Sequence, residues 1–586
     1  MAAKEERQDD KEVSLEVMRH SAAHIMAEAV QIIFPEAKFG IGPAVENGFY
    51  YDFDLPRSLA PEDLPLIETK MKEIIAANLP FVREEVTREE AQKLFAVQPY
   101  KLELIDDIAD EKLGLYRQGA FVDLCRGPHL SASGEVKACK LVGIAGAYWR
   151  GDEHRPMLQR IYGIAFNTEE AMADHLSKLD AAAKSDHRKL GRELDLFSLH
   201  EEAGPGLIYW HPRGAVVRRV IEDFWKDEHF KRDYDVVYTP HIAKLDLWKT
   251  SGHWEFYRDY LYSPMEIEGQ EYILKPMNCL GHILIYKAKL HSYRELPLRY
   301  AELGTVYRYE RSGVLHGLSR VRGFTQDDAH IFCRLDQLED EVAGVLELAL
   351  FMINTFGFTN YQILLSTQPK KYAGSDQIWK ESTETLSRAL SRLALDYKVD
   401  PGEGVFYGPK IDIKFEDALG RGWQGPTIQV DFNLPQRFEV NYIAEDGKEH
   451  SVAMVHRTVL GSMERFLASL VEHYEGNFPV WLAPIQVMVI PVADRHFDYA
   501  SELRIDLKRE GIRAEVDTRS ERINLKIRQA QLDKIPYMLV VGDKEVDAAT
   551  VSVRLRSGEQ AASQLLADFK KAVHSAVATR AKDIKL

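Results

Sequence analysis

The chain of 586 residues is poor in cysteine and has no long apolar segment. Four cysteines are too few for a disulfide framework, so we expect a reducing, cytoplasmic environment. No apolar run approaches the ~18 residues of a membrane-spanning helix, so no membrane partner is expected. The polar start, MAAKEERQDDKEVS, has no apolar secretory core. The net charge of −16 argues against a passive nucleic-acid-binding protein, although a basic face can exist on an acidic body.

The pattern of predicted elements changes several times along the chain, which indicates several domains. After Pro484, strands alternate regularly with helices, which is typical of a compact α/β module. The charged stretch at residues 169–194 has no wide apolar stripe, which predicts a helix that connects two domains. We predict an α+β multidomain protein with a polar tail (1–12), an α+β domain (13–168), a linker helix (169–194), a central domain (195–480) and a C-terminal α/β domain (481–586).

Three stretches of the central domain carry residues suited to a substrate rich in phosphate. They are PRGAVVRRVIEDFWKDEHFKRDYDVVYTPHI, VYRYERSGVLHGLSRVRGFTQDDAHIF and HRTVLGSMERFLASLVEH. Their guanidinium groups can bind phosphate oxygens bidentately and stay charged, although a single YRYE segment could equally form surface ion pairs. Together and in this order, the stretches resemble motifs 1, 2 and 3 of class II aminoacyl-tRNA synthetases. Nearly the whole chain resembles the bacterial-type threonyl-tRNA synthetases.

The resemblance implies an antiparallel sheet flanked by helices and a reaction of L-threonine with ATP and Mg²⁺. It implies that Arg308 bridges the α-phosphate and the substrate carboxylate. Arg320 and Arg465 would hold the far phosphates, Glu310 the adenine amino group, and Phe324 would stack on the base. It also implies a homodimer with a symmetric interface formed by the motif 1 helix and strand.

A possible metal site combines Cys279 in PMNCLGH, His330 in QDDAHIF and His456 in AMVHRTVLGS. Each residue alone could be a packed cysteine or a hydrogen-bonded core histidine, and no CxxC pair accompanies them. The resemblance makes them the ligands of one zinc ion per subunit, with an open position for substrate. Such a zinc would bind the amino group and the β-hydroxyl of threonine. A hydrophobic pocket alone discriminates threonine from valine by only about a hundredfold. A zinc site would reject valine, because valine has no hydroxyl group to bind the metal.

The resemblance assigns further residues around the amino acid. Asp328, beside the metal, would accept hydrogen bonds from the substrate. His253 in SGHWEFYRD matches a histidine that assists transfer to tRNA, where a proton acceptor near the 2′-hydroxyl would help, although it could also be an ordinary loop histidine. The other matching positions that line the amino-acid pocket are Met277, Gln326, Tyr407 and Gln429.

The N-terminal segment MRHSAAHIMAEAV predicts a helix with His20 and His24 four residues apart. Ser21 stands where a zinc peptidase of the HExxH type has its glutamate, which argues against a peptidase. Downstream, FVDLCRGPHL adds Cys125 and His129, and these four side chains could form a zinc set. The same region resembles the editing domain of threonyl-tRNA synthetases, whose HxxxH and CxxxH pairs form a hydrolytic pocket without a required metal. Hydrolysis, zinc binding and simple packing therefore remain open for the quartet.

Editing would solve a problem that zinc leaves, because serine also has a β-hydroxyl and is smaller than threonine. A second site that hydrolyses seryl-tRNA removes such errors. Helical periodicity places His20 and His24 away from the main apolar stripe of their helix, which predicts a cleft on that side. Lys101 and Asp123 match further functional positions of the editing domain.

The C-terminal module resembles the anticodon-binding domain shared by several class II synthetases. In DTRSERINLKIRQAQLDK, Lys526 and Arg528 would neutralise phosphates and Glu521 would accept hydrogen bonds from a base. A solvated amphipathic helix is the alternative. At the other end, the resemblance begins by about residue 13, without the small ubiquitin-like domain that many members carry before the editing domain.

Two other functions fit parts of this sequence. A synthetase specific for proline or serine would not need the predicted zinc set together with the editing quartet. A non-catalytic RNA-binding protein descended from a synthetase should have lost motif residues, whereas Arg308, Glu310 and Arg465 are present. We therefore predict an enzyme that activates threonine with ATP, transfers it to threonine tRNA and hydrolyses mischarged seryl-tRNA.

Overall fold

The computed structural model describes residues 2–152 and 154–585, except for the side chains of residues 2–14. The chain divides into two compact units, and the boundary between Asp180 and Ala181 falls within a helix. No helix in this described part of the chain is long and apolar enough to cross a membrane.

The first unit is an α+β domain built on a long, buried N-terminal helix. One sheet has the strand order β1-β3-β8-β7, with β2 on β3, and a second has the order β4-β5-β6. The helices are α1 (Ala2–Ile33), α2 (Asp63–Ala76), α3 (Arg88–Leu94) and α4 (Pro99–Asp107). The strands are β1 (Lys38–Phe39), β2 (Ala44–Val45), β3 (Gly48–Asp54), β4 (Phe81–Thr87), β5 (Lys112–Gln118), β6 (Phe121–Leu124), β7 (Ala138–Tyr148) and β8 (Met157–Phe166).

Helix α1 differs from the sequence-based prediction in two respects. Its backbone is helical from Ala2, so residues 2–12 of the predicted tail are continuous with the helix, while Met1 lies outside the described residues. Residues 21–30 are buried on every side, and Ala23 and Ala27, which share the face of the two histidines, are fully buried. On this face Ala23, His24 and Ala27 pack against protein, whereas His20 is only partly buried.

The predicted linker helix consists of two helices, α5 (Glu169–Ser185) and α6 (His187–Glu193). Asp186 separates them as the N-cap of α6, where its carboxylate accepts a hydrogen bond from Arg188 N at 2.7 Å. An aspartate that caps the first turn of a helix favours a new start over continuation.

The central part contains a sheet with the strand order β11-β15-β16-β23-β20-β19-β17-β18, counted over the described residues. Its inner strands are antiparallel, as predicted, and the β11–β15 and β17–β18 pairs at the two edges are parallel. Helix α11 packs on this sheet, and their leucines, valines and phenylalanines form the largest core.

The elements of this central part lie between residues 197 and 473. The strands are β9 (Phe197–Ser198), β10 (Tyr209–Trp210), β11 (Asp235–Val236), β12 (Ile242–Lys244), β13 (Met265–Ile267), β14 (Gln270–Leu274), β15 (Leu298–Tyr307), β16 (Gly323–Cys333), β17 (Tyr361–Ser366), β18 (Lys398–Asp400), β19 (Lys410–Glu416), β20 (Gly422–Asp431), β21 (Asn441–Ile443), β22 (Glu449–Ser451) and β23 (Ala453–Ser462). The helices are α7 (Pro212–Phe230), α8 (Leu245–Ser251), α9 (His253–Phe256), α10 (Cys279–Tyr286), α11 (Leu338–Thr355), α12 (Asp376–Arg392), α13 (Asn433–Arg437) and α14 (Met463–His473).

The C-terminal part is an α/β module, and the predicted alternation of strands and helices is confirmed. Its sheet has the order β25-β24-β26-β27-β28, with β24 parallel to both neighbours. The strands are β24 (Val487–Pro491), β25 (Ala514–Val516), β26 (Tyr537–Val541), β27 (Thr550–Leu555) and β28 (Gln564–Leu565). The helices are α15 (Phe497–Arg509), α16 (Ile523–Leu532), α17 (Asp543–Ala548) and α18 (Leu566–Ala578).

Candidate functional site

A cavity of about 460 Å³ is lined from β16, β20 and β23, the middle strands of the large sheet. This volume lies within the range of about 300–1,000 Å³ that is usual for small-molecule sites. Most of the site residues predicted for the central domain line it. They are Met277, Cys279, Arg308, Glu310, Phe324, Gln326, Asp328, Tyr407, Gln429, His456 and Arg465.

Strand geometry explains why these residues meet. Alternate side chains of a strand lie on one face, so β16 presents Phe324, Gln326, Asp328 and His330 together. Across the neighbouring strands, His456 of β23 is the register partner of both His330 and Gln429. The two histidines therefore stand side by side on the sheet, although they are far apart in the sequence.

Two arginines, Arg308 and Arg465, line the end of the cavity that is suited to phosphate. The Arg308 guanidinium lies 5.2 Å from the ring centre of Phe324, and Arg465 Nε donates to the Ser319 carbonyl at 3.2 Å. Burial, followed by the charges of Arg308 and Arg320, lowers the pKa of Arg465, so an anion is favoured there. Arg320 does not line the cavity; its half-exposed side chain pairs with Glu310 at 3.1 Å.

The predicted zinc ligands Cys279, His330 and His456 are buried, and their ligand atoms lie within 4.8 Å of one another. Among the described residues, His330 Nε2 has no hydrogen-bond partner. Burial lowers the pKa of His330 well below its usual value and raises that of Cys279. One thiol and two imidazoles, with the buried His330 Nε2 left without a partner, fit the ligand set of a zinc ion.

Sequence reasoning missed the residues that orient His330. His282 Nδ1 lies 2.8 Å from His330 Nδ1, and His282 Nε2 lies 3.2 Å from Glu302 Oε2. If Glu302 accepts from Nε2–H, His282 Nδ1 must accept the proton of His330 Nδ1, which leaves the lone pair of His330 on Nε2. His282 ends the segment PMNCLGH, but only the fold shows what it contacts.

His253 is not brought to the cavity wall. It is 1% exposed, begins α9, and has Nδ1 2.7 Å from Ser251 Oγ. Burial lowers its pKa to about 4, so the ring is neutral at pH 7. Residues that do line the cavity and that sequence reasoning missed include Tyr257, Gln424 and Thr427, which no motif marks.

In the first unit, the quartet of His20, His24, Cys125 and His129 converges, with ligand atoms within 4.8 Å of one another. Cys125 Sγ lies 3.3 Å from His20 Nε2 and 3.3 Å from His129 Nε2. Ser21 Oγ lies 3.1 Å from His129 Nδ1 and orients that ring from the other side. Helix α1 supplies the first pair, and the chain directly after β6 supplies the second.

A buried polar network adjoins the quartet. Asp123 is 2.5 Å from Lys101 Nζ and accepts a 2.5 Å hydrogen bond from the Tyr51 hydroxyl, and it lies 3.7 Å from His24 Nε2. The fold thus brings Lys101 and Asp123 together with the quartet. Tyr51 was missed, although it occupies an inward position of the strand GFYYDFD.

Ionisation decides what the quartet can do chemically. Burial raises the pKa of Cys125 to about 11 and lowers the pKa values of His20, His24 and His129. At pH 7 the thiol is therefore protonated and is not a nucleophile. Neutral imidazoles beside it can accept hydrogen bonds from water, which suits positioning of a hydrolytic water better than covalent attack.

The predicted anticodon residues differ in their exposure to solvent. Glu521 and Arg528 are exposed, whereas Lys526 is 6% exposed. Lys526 Nζ lies 3.4 Å and 3.5 Å from the carbonyls of Asp517 and Pro491, so it is turned away from solvent. The prediction of an RNA contact for Lys526 is therefore not supported by its position. The charge pattern of α16 could not show that this cation turns inward.

Three family models match consecutive parts of the chain. Residues 113–162 match the threonyl and alanyl tRNA synthetase second additional domain. Residues 262–474 match the tRNA synthetase class II core domain (G, H, P, S and T). Residues 486–575 match an anticodon binding domain.

Whole-chain relatives point in the same direction. The chain is 66% identical to a threonine–tRNA ligase of Dehalococcoides mccartyi (strain CBDB1), covering 97% of this chain and 98% of that protein. It is 56% identical to a threonine–tRNA ligase of Acidithiobacillus ferrooxidans, covering 93% and 85%. A solved structure of the RNA binding domain of threonyl-tRNA synthetase from Cryptosporidium parvum Iowa II matches with a TM-score of 0.65 at 40% identity, covering 68% of this chain and 99% of that one.

Proposed function

Because this chain belongs to the threonyl-tRNA synthetase family, we propose that it joins L-threonine to threonine tRNA and removes serine that is attached in error. As a ligase with a class II catalytic core, it uses ATP with Mg²⁺. The observation that carries the proposal is one cavity lined by Arg308 and Arg465 and by Cys279 and His456, with the buried His330 within ligand distance of the last two.

In the activation step, the threonine carboxylate attacks the α-phosphate of ATP, threonyl-adenylate forms and pyrophosphate leaves. Arg308 and Arg465 would neutralise the charge that develops on the phosphate oxygens. Phe324 would stack on the adenine, and Glu310 would accept a hydrogen bond from its amino group. Arg320, paired with Glu310 here, would turn to the far phosphates when ATP binds.

Selection of threonine would take place at the sheet end of the cavity. Zinc, held by Cys279, His330 and His456, would supply Lewis-acid binding of the amino and hydroxyl groups. The Tyr407 hydroxyl donates to Gln429 Oε1 at 2.6 Å, which fixes two further walls of the pocket. Asp328, Met277 and Gln326 would complete the lining.

Transfer and proofreading would use the remaining predicted residues. His253, neutral at pH 7, would act near the 2′-hydroxyl of the terminal adenosine once tRNA is bound. Seryl-tRNA would be hydrolysed at the quartet, where neutral imidazoles orient water and Lys101 and Asp123 hold the surrounding network. Glu521 and Arg528 are accessible for the anticodon.

A second copy of the chain is the proposed partner for the exposed apolar side chains near motif 1. Phe230 and Tyr238 are 79% and 77% exposed, and β11 between them is an edge strand of the large sheet. Exposed aromatic residues beside an open sheet edge favour a symmetric homodimer. The free cysteines support the proposed cytoplasmic location.

Amino-acid-dependent pyrophosphate exchange tests the proposal directly. We expect strong exchange with threonine, weaker exchange with serine and none with valine, in a sample that contains one zinc per chain. No exchange despite bound zinc would indicate a repurposed synthetase fold. Exchange with valine would contradict the role given to the metal.

The orienting role of His282 leads to a separate prediction about metal affinity. His282→Phe keeps a ring but removes both hydrogen bonds, so His330 Nε2 is no longer held toward the cluster. We expect zinc affinity to fall by about 10- to 100-fold, measured by competition with a chelator. Cys333→Ala is the matched control, because Cys333 is equally buried and lies outside the metal set. Unchanged affinity in His282→Phe would contradict the prediction.

A further inference from the structure

His187, the first residue of α6, lies fully buried outside the cavity and uses both of its ring nitrogens. Its Nδ1 lies 2.6 Å from Glu472 Oε1, and its Nε2 lies 3.0 Å from the backbone nitrogen of Leu318. Because an amide N–H can only donate, Nε2 must accept, and the ring proton must be on Nδ1 and donate to Glu472. One neutral imidazole thus joins two distant segments of the chain.

The first of these segments is the motif 2 loop that precedes Arg320. His316 N donates to the Arg320 carbonyl at 3.1 Å, and Arg320 N donates to the His316 carbonyl at 3.2 Å, so the loop ends in a tight turn. Leu318, at the tip of this turn, is fully buried. The next carbonyl, that of Ser319, accepts the hydrogen bond of Arg465. The histidine therefore holds the turn from which Arg320 extends.

Gly317 permits the close contact between His187 and the motif 2 turn. Its φ of +47° lies in the left-handed region, and an added Cβ would lie 2.2 Å from His187 Nε2. Any side chain at this position would displace the imidazole or the turn.

The second segment is the end of α14, the helix whose first turn carries Arg465. Glu472 lies near its last turn, and its other carboxylate oxygen is 2.6 Å from Arg421 Nη2. Arg421 is fixed in turn by Asp417 at 2.7 Å. Each carboxylate oxygen of Glu472 thus has a partner, and His187 is attached to a rigid support.

Asp186, His187 and Glu472 are also close enough together to hold a metal ion. A metal would need a free lone pair on the histidine, but Nε2 is occupied by Leu318 and Nδ1 carries the proton. Arg421 already pairs with Glu472. The hydrogen bonds therefore favour a mechanical link over a metal site.

We propose that His187 is a positioning residue for ATP, because it holds the motif 2 turn against the motif 3 helix and thereby sets the location of Arg320 relative to Arg465. The proposal rests on the proposed function, in which these two arginines bind the phosphates. It assigns to the start of α6 a role in activation, although His187 does not touch the cavity.

Two conservative variants separate the two hydrogen bonds. In His187→Asn the amide nitrogen can replace Nδ1 and donate to Glu472, but nothing accepts from Leu318. In His187→Gln the amide oxygen can replace Nε2 and accept from Leu318, while the backbone N–H of residue 187 still donates to Glu472 Oε1 at 3.2 Å and keeps the link to α14. We expect His187→Asn to raise the KM for ATP in pyrophosphate exchange by about tenfold. His187→Gln should stay within about threefold of the wild type, and the KM for threonine should not change in either variant.

His291→Asn is the matched control for loss of a buried, doubly bonded histidine. His291 is 1% exposed and lies 3.1 Å from Glu295 and 3.0 Å from the Tyr286 carbonyl, away from the motif 2 loop. Its variant should lower the melting temperature without a change in the KM for ATP. If His187→Asn behaves in the same way as this control, the positioning role is overturned.

A double-mutant cycle with Arg320→Ala tests the route of the effect. If His187 acts through Arg320, His187→Asn should add little to the KM for ATP in the Arg320→Ala background. Fully additive effects would overturn the proposal. Absence of threonine-dependent exchange in the wild type would refute the proposed function itself, so the two failures are distinguishable.

Discussion

Arg465→Ala is expected to lower kcat/KM for threonine-dependent pyrophosphate exchange by about 100- to 1,000-fold. The guanidinium is largely buried at the start of α14, near Arg308 and Arg320, where positive charge is costly until an anion arrives. Its main contribution should therefore appear when charge develops on the phosphate oxygens. Removal of such a donor from a preorganised site lowers kcat more than it raises KM.

Two further variants serve as comparisons for the Arg465→Ala measurement. Arg465→Lys keeps the charge but loses the planar, bidentate geometry, and we expect most of the activity to be lost as well. Arg388→Ala removes an arginine from a surface pair with Glu339 and should leave exchange unchanged. An Arg465→Ala protein with a native melting temperature and wild-type exchange would exclude Arg465 from the phosphate site.

Cys125→Ala and His24→Ala are expected to spare threonine charging while seryl-tRNA accumulates. Both side chains belong to the quartet in the first unit, so the aminoacylation cavity keeps its lining. Loss of a group that orients the attacking water should slow deacylation of seryl-tRNA by about 100-fold or more. The measurement is the deacylation rate of preformed seryl-tRNA, together with the charging rate for threonine.

Cys139→Ala is the matched control for these variants. Cys139 lies in the same unit, on β7, and its pKa is likewise raised to about 11 by burial, but it is outside the quartet. Its variant should edit normally. Equal loss of charging and editing in a well-folded Cys125→Ala protein would contradict the assignment. Loss of a second bound zinc in that variant would support the metal alternative for the quartet.

Sequence reasoning succeeded where a motif or the alternation of elements identifies the residues or the type of each element. The resemblance named Phe324, Gln326 and Asp328 as site residues, and the structure places all three on one face of β16. The alternation of strands and helices in the C-terminal part could also be predicted from the sequence, because each element is short and clearly bounded.

Sequence reasoning failed where the direction of a side chain depends on tertiary packing. Lys526 lies in a basic stretch, but its ammonium group turns under two backbone carbonyls, which a charge pattern cannot reveal. His24 is buried because α1 is packed on all sides, whereas its own periodicity shows a single stripe. The roles of His282 and Tyr51 arise from contacts between segments that are distant in sequence, and no local pattern records such contacts.

The pairing of His330 with His456 across β16 and β23 would connect the proposed zinc binding with folding. A slip of one residue between these strands would turn one histidine to the opposite face of the sheet. Cys279 comes from α10, so the third ligand arrives only when that helix has docked as well. A chain with misregistered strands would lack the ligand set, and zinc would therefore stabilise only those molecules whose central sheet has paired correctly.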